Sequence, residues 1–215
     1  ERAALPRAIH NRAFAAAPRE RRLLRRLRRL THLFNPQNRQ SKYKVYKILE
    51  GRLTEHLPRT RRYSPQALRA MMEAFDSVYV KPCRGSVGEG VVHVKRLRRG
   101  AWRVRHGGGS RRLPAEAARA LVGCLVRGRP HIVQQGVALA RYLGRPFDLR
   151  VTVQRGGSGG WHVTGMFGKL AKAGRHVTNL ARGGRAMRPG PLLAACFARP
   201  QEVKANGVML SSGAD

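Results

Sequence analysis

The sequence has few cysteines, few carboxylates and no long apolar run. Its three cysteines, Cys83, Cys124 and Cys196, are odd in number and widely spaced. That spacing argues against a disulfide scaffold or a cysteine-based zinc site and fits a reducing, cytoplasmic compartment. The longest apolar stretches, such as residues 192–198, are far shorter than the roughly 18 residues that a membrane span needs, so we expect no transmembrane helix. No apolar block follows the first arginines, and we therefore expect no secretory signal.

Acidic residues are scarce: 11 Asp and Glu stand against 44 Lys and Arg, which gives a formal net charge of +33. This excess predicts nonspecific attraction to polyanions. A nucleic-acid-binding function is less favoured, because the charge is spread along the chain and is not gathered on one segment. Residues 1–34 hold ten Arg and two Glu, a net charge of +8, which leaves +25 for the remainder.

Residues 1–34 form a basic N-terminal extension. From Arg19 onward, leucines recur at helical spacing among arginines, at positions 23, 24, 27 and 30, with Phe34 as a further candidate. This pattern predicts an amphipathic helix. Two roles fit it: a helix docked on the main domain with solvated arginines, which we favour, or a helix that binds an anionic surface or a polyanion.

The remaining pattern predicts an α+β fold with mostly antiparallel strands. Helices are expected at 41–53, 66–75 (capped by Ser64), 114–126 and 192–197. Strands are expected at 78–81, 91–94, 102–105, 131–135, 147–154 and 161–170, the last two joined by a glycine-rich turn. Residues 107–109 are expected to form a flexible loop. The strands fall into two groups divided near residue 133, which predicts two lobes.

The segment with the strongest chemical signal is residues 81–90. Lys81 leaves a strand, and glycines at 85, 88 and 90 then lead into the next strand. Glycines adopt positive φ and expose consecutive N–H groups to an anion, and a neighbouring lysine adds a charge for the same oxygens. The segment is neither a Walker A loop nor a Rossmann fingerprint, because a strand follows it where those motifs need a helix.

This loop is part of a set of five segments that follow one another in a distinctive order: FNP (34–36), SKYKVY (41–46), VKPCRGSVGEG (80–90), GRPFDLR (144–150) and VTNLARGG (177–184). Together they resemble the ATP-grasp superfamily and, within it, the endospore coat-associated, YheC/YheD-like group. The resemblance covers about residues 33–197. It implies ATP between two α+β lobes, with residues 35–132 as the N-terminal lobe and 133–198 as a partial C-terminal lobe. Residues 199–215 are then an unstructured tail.

The resemblance also implies roles for particular residues. Lys42 and Lys81 would be the two ATP lysines, with Lys44 and Lys47 as rivals to Lys42. The phosphate flap would consist of Gly85, Ser86, Gly88 and Gly90. The adenine would meet the hinge residues Gln134 and Gln135 and the backbone of Val137.

The second lobe would supply groups that act on the γ-phosphate or an acyl-phosphate. The residues implied are Arg150, Lys169 and Asn179. Asp148 and Arg150 lie two apart on a strand and so share a face, which also allows a plain ion pair between them or between Asp148 and a nearby arginine.

The family's Mg²⁺ would need carboxylates late in the second lobe, but no Asp or Glu lies between Asp148 and Glu202. No metal ligands are therefore predicted. We expect an incomplete second lobe, from a fragment, a shifted reading frame or a natural variant, with one bare sheet edge. The first functional hypothesis is an ATP-binding relative of carboxylate–amine or carboxylate–thiol ligases, with unassigned substrates; it would be an ATP-dependent carboxylate ligase if the full-length second lobe exists. The second is a non-enzymatic cationic spore-coat or scaffold component.

Overall fold

A computed structural model describes residues 4–13, 17–36, 40–85, 88–173, 178, 180 and 183–196. The chain divides into two compact units between Gly136 and Val137. The strand 131–135 therefore belongs to the first unit, whereas the sequence placed the lobe boundary at 132/133. None of the described helices is long and apolar enough to cross a bilayer.

The first unit begins with a short strand–helix–strand segment. Strand β1 (Ala8–His10) pairs in parallel with β2 (His32–Phe34), and helix α1 (Pro18–Leu30) connects them. The predicted helix is therefore present, but Phe34 lies in a strand and does not extend the leucine stripe. No residue of α1 is buried, and Leu24 and Leu27 are half-buried, so the described residues do not show the expected docking of α1 on the main domain.

Helix α2 (Lys42–Leu53) follows and ends in a short helical turn, Thr54–His56. The main sheet then contains six strands: β3 (Thr60–Arg62), β4 (Ser77–Pro82), β5 (Val92–Arg96), β6 (Trp102–His106), β7 (Gly109–Leu113) and β8 (His131–Gln135). Their order is β3-β8-β4-β5-β6-β7, and every neighbouring pair is antiparallel. Strands β3 and β7 were not predicted. Gly109, expected in a flexible loop, is the first residue of β7.

Helices α3 (Pro65–Ala74) and α4 (Ala115–Leu125) contribute to the same hydrophobic core as one face of this sheet. Ser64 caps α3 as predicted, its Oγ accepting a hydrogen bond from Ala67 N at 3.0 Å. The core follows from the alternation of β4, whose Val78 and Val80 are fully buried. Its other members include Leu68, Met71, Met72, Val92, Val94, Trp102, Val104, Val122 and Val133.

The second unit is a four-stranded sheet in the order β12-β11-β10-β9. Its elements are β9 (Arg141–Tyr142), β10 (Arg145–Arg155), β11 (Trp161–Leu170), β12 (Arg185–Met187) and helix α5 (Pro189–Ala194). The predicted long hairpin is confirmed as β10 paired with β11. Phe147, Leu170 and Leu192 form its small core, and α5 begins three residues earlier than the predicted helix.

Candidate functional site

A row of polar and aromatic side chains runs across the sheet of the first unit. Because alternate residues of a strand point to opposite faces, Ser77, Tyr79 and Lys81 lie on the face opposite the buried valines of β4. The strand register aligns one residue from each of five adjacent strands in this row. These residues are Thr60, Gln134, Tyr79, His93 and Arg105.

The middle of the row is an ordered pair of rings. Tyr79 and His93 stack with their centroids 4.3 Å apart and their planes 9° from parallel. Ser77 Oγ lies 2.9 Å from His93 Nε2. Burial raises the pKa of the Tyr79 hydroxyl, so Tyr79 stays uncharged at neutral pH. Tyr79 and His93 were not among the predicted site residues. Their placement on two predicted strands that follow one another in the sequence could have indicated that their side chains lie close together.

Lys81 lies two residues along β4 from Tyr79, on the same face of the sheet, and is half-buried. Its Nζ donates a 2.6 Å hydrogen bond to Gln134 Oε1 and lies 5.1 Å from the centroid of the Tyr79 ring. Gln134 Nε2 in turn donates to Thr60 Oγ1 at 2.9 Å. Burial lowers the pKa of Lys81, and the positive charge of Lys42 lowers it further. The fold therefore brings together three sequence-predicted residues: Lys42, Lys81 and Gln134.

Lys42, the first residue of α2, is tied to the loop that follows β4. Its backbone N donates to Cys83 O at 2.8 Å, and its Nζ donates to Pro82 O at 3.0 Å and to Gly85 O at 2.9 Å. These contacts place the start of α2 against the glycine-rich loop. The Lys42 ammonium group therefore contacts the loop directly, and Lys81 is the residue of β4 that comes two positions before Cys83.

The rival lysines have other surroundings. Lys47 Nζ forms a 2.5 Å ion pair with Glu50 Oε2. Lys44 and Lys47 both line a cavity of about 610 Å³, whose other lining residues are Ser41, Tyr43, Arg62, Cys83, Arg84, Arg129 and Pro130. The lysine whose charge acts on Lys81 is Lys42, so the geometry favours Lys42 over its rivals as the partner of Lys81.

The three glycines of the loop adopt positive φ: 127° at Gly85, 72° at Gly88 and 66° at Gly90. Such angles strain residues that carry a Cβ. At Gly90 a Cβ would also lie 3.1 Å from Pro82 Cγ and 2.9 Å from Arg129 Nη2. The loop conformation therefore depends on glycine. Ser86, the fourth predicted flap residue, lies outside the described residues.

The predicted hinge residues Gln134, Gln135 and Val137 lie in different surroundings. Gln134 faces Lys81, whereas Gln135 Oε1 accepts a hydrogen bond from Arg59 N at 3.1 Å, next to β3. Gly136 N donates to Ser77 O at 2.7 Å and ends the first unit. Val137 is exposed and belongs to the second unit. Only Gln134 of these residues lies in the polar row.

In the second unit, Asp148 pairs across the hairpin. Lys169 Nζ lies 2.5 Å from Asp148 Oδ1, and the Thr178 hydroxyl donates to Asp148 Oδ2. Among the described residues, Asp148 forms its ion pair with Lys169 and none with Arg150 or another arginine. Arg150 is exposed and lies opposite Phe167 in the register. Asn179 lies outside the described residues.

The residues present do not fit a magnesium site. Asp148 is the only carboxylate between residues 137 and 201, and it is engaged by an ammonium group and a hydroxyl. The described part of the chain contains no group of three or more His, Cys, Asp or Glu that could hold a metal. Since Mg²⁺ requires oxygen ligands, chiefly carboxylates, no metal-dependent step follows from these residues.

Comparison with known proteins agrees with the motifs. The profile of the family described as YheC/D like ATP-grasp matches residues 30–210, a longer range than the five segments cover. The chain is 29% identical over 146 residues to the endospore coat-associated protein YheD of Bacillus subtilis (strain 168), with 61% of this chain and 32% of YheD covered. It thus spans about a third of the length of that relative. Because the family match covers most of the sequence, the chain belongs to the YheC/D-like ATP-grasp family.

Proposed function

We propose that the first unit binds the phosphates of ATP. The observation that carries this proposal is the placement of Lys42 and Lys81 together beside a loop with positive φ at Gly85, Gly88 and Gly90. Backbone N–H groups of such a loop and two ammonium groups are complementary to a polyphosphate. The polar row from Gln134 to His93 would form the floor of this site.

The electrostatics of Lys81 support the same proposal. Among the described residues, no carboxylate forms an ion pair with Lys81, and its hydrogen-bond partner is the neutral Gln134 oxygen. The folded protein therefore holds a cation whose charged form is disfavoured by burial and by Lys42. A bound phosphate would raise the pKa of Lys81 again, because a nearby negative charge stabilises the protonated lysine.

The adenine contact and the role of the second unit belong to the same proposal. The backbone of Val137, an exposed residue, and the side chain of Gln134 would meet the base, whereas the Gln135 side chain already accepts a hydrogen bond from Arg59 N. Arg150 and Lys169, with Asn179, would face phosphate oxygens. Since the residues present do not fit a Mg²⁺ site, we propose nucleotide binding by these residues and no metal-dependent step at them.

Calorimetric titration tests the proposal with a matched pair of variants. Lys81→Met removes the proposed phosphate ligand, and Lys95→Met removes an exposed lysine from β5 of the same sheet. At about 0.3 M NaCl, where exposed charges are screened, we expect K81M to weaken ATP binding roughly tenfold or more. K95M should bind ATP as the wild type does. Equal loss in both variants would overturn the proposal.

A cationic coat or scaffold component remains the second candidate, and the net charge of +33 favours it. The relative YheD is itself described as endospore coat-associated. Under this alternative the fold persists, and acidic coat proteins or other polyanions are the partners. ATP would then bind no more tightly than sulfate, and added salt would abolish both. A nucleic-acid-binding function would instead show DNA affinity beyond the nonspecific binding that the net charge predicts, and this affinity would survive mutation of the loop glycines.

A further inference from the structure

Helix α1 presents an apolar stripe that the described structure leaves partly uncovered, with Leu24 and Leu27 half-buried. No residue of α1 is buried, and the side chains of Leu23 and Leu30 are 55% and 60% exposed. The helix also precedes nearly all of the family match, which begins at residue 30. The stripe is therefore a feature of this chain that the family resemblance leaves unexplained.

The two kinds of side chain separate around the helix. At about 100° per residue, the four leucines fall within an arc of about 120°, and the seven arginines fall in the opposite half of the wheel. Glu20 is the one charged residue inside the leucine arc. Its Oε2 accepts a 2.9 Å hydrogen bond from Ala17 N, so it is held at the start of the helix.

The C-terminal end of α1 is held against the residues that precede the helix in the chain. The parallel pairing of β1 with β2 joins residues before and after the helix. The Thr31 hydroxyl donates to Pro6 O at 2.5 Å, and His32 N donates to Arg7 O at 3.1 Å. The helix is thus formed and anchored before any partner arrives, which lowers the conformational entropy lost on binding.

We propose that α1 binds the surface of an anionic lipid bilayer, lying in the plane of the interface. The leucines would enter the boundary of the acyl chains, and the arginines would reach the lipid phosphates. The charge of the arginine half matches an anionic membrane surface. A bilayer fits better than a nucleic acid because a polyanion can pair with the arginines but offers no apolar phase for the leucines.

Vesicle co-sedimentation of the full chain tests the proposal. The probes are vesicles of phosphatidylcholine alone and of roughly seven parts phosphatidylcholine to three parts phosphatidylglycerol. The variant L23S/L30S removes the exposed stripe without changing any charge. The control I48S/L143S removes two other exposed apolar side chains, 68% and 83% exposed. Duplex DNA serves as the polyanion that lacks an apolar phase.

We expect the wild type and I48S/L143S to bind the anionic vesicles, and L23S/L30S to bind them roughly tenfold more weakly. DNA binding should be the same in all three proteins. Equal vesicle binding by L23S/L30S and the wild type would overturn the proposal, since the arginines alone would then suffice. A parallel loss of DNA binding in L23S/L30S would also overturn it. Amide hydrogen exchange of the wild type provides a check without mutation: anionic vesicles should slow exchange within residues 18–30, and unchanged exchange would contradict the proposal.

Discussion

At the residue scale, the positive charge of Lys42 changes the protonation equilibrium of Lys81. Lys81 is half-buried near a second ammonium group, that of Lys42, and both effects lower its pKa below the ordinary value of 10.5. Between its lowered folded pKa and 10.5, the unfolded chain binds more protons than the folded chain. The contribution of Lys81 to the free energy of unfolding therefore increases as pH rises through that window.

Replacing Lys42 should change the titration of Lys81. Lys42→Met removes the neighbouring charge, so the pKa of Lys81 should rise toward its ordinary value while burial still holds it below. The pH dependence of the acylation rate at Lys81, followed by mass spectrometry, measures this shift. Lys44→Met is the control and should leave the pKa of Lys81 unchanged. An unchanged pKa of Lys81 in the Lys42→Met variant would show that the charges of the two lysines do not interact.

Gly136 is required by its close approach to Ser77. A Cβ at position 136 would lie 2.2 Å from Ser77 Oγ and 2.9 Å from Ser77 O, and the latter is backbone that cannot rotate away. Gly136→Ala should therefore lower the free energy of unfolding by about 1–3 kcal/mol. Gly165→Ala is the control, because nothing lies within 4 Å of its added Cβ. Denaturant unfolding measures both, and equal stabilities would contradict this account of the hinge.

The residue-scale predictions succeeded where a local rule applied. The positive φ values of the loop glycines and the cap at Ser64 follow from short segments of sequence. The partner of Asp148 did not follow, because Lys169 reaches it only through the cross-strand register of the second hairpin. The exposed placement of Arg150 depends on the same register. Sequence spacing within one strand cannot supply that information.

At the element scale, capping contributes to the stability of α3. The Ser64 hydroxyl accepts the N–H of Ala67, which has no partner within the helix. Ser64→Ala should therefore reduce the free energy of unfolding by about 1 kcal/mol. Ser110→Ala, an exposed change in β7, should alter it by less than about 0.5 kcal/mol. Thermal or denaturant unfolding distinguishes the two, and an unaffected S64A variant would show that the cap contributes nothing.

Elements with strong apolar periodicity were predicted, and those without it were missed. Strands β4, β5 and β6 and the hairpin β10–β11 carry alternating or continuous apolar residues, so their positions could be read directly. Strand β7 has the sequence GSRRL and is mostly exposed. Its extended conformation therefore depends on pairing with β6, because its own sequence has no apolar alternation. Strands β1 and β2 likewise depend on a partner that lies more than twenty residues away.

Charge dominates the behaviour of the whole molecule. With +33 at neutral pH, the chain should bind duplex DNA or heparin, and that binding should weaken roughly tenfold or more as NaCl rises from about 0.1 to 0.4 M. ATP binding should fall less steeply, because a buried lysine is screened less than exposed arginines. Parallel titrations at several salt concentrations compare the two slopes. Equal slopes would indicate that ATP is held by the general surface charge.

The two-unit organisation could be predicted only approximately. The change from one strand group to the next is visible in the sequence, but β8 pairs with β3 and β4 and so belongs entirely to the first unit. The boundary lies after Gly136 for that reason. The α+β class and the antiparallel sheets follow from short connections between apolar strands, which the sequence does show.

Lysine footprinting tests the central proposal, that Lys42 and Lys81 grip the phosphates of ATP, most directly. The protein is acylated at about 0.3 M NaCl with and without saturating ATP, and the labelling of individual lysines is quantified by mass spectrometry. ATP should slow acylation of Lys81 and Lys42 by roughly fivefold or more, through direct contact with phosphate. Lys95 and Lys44 should react at unchanged rates. Unchanged acylation of Lys81 in saturating ATP, or uniform protection of every lysine, would contradict the account.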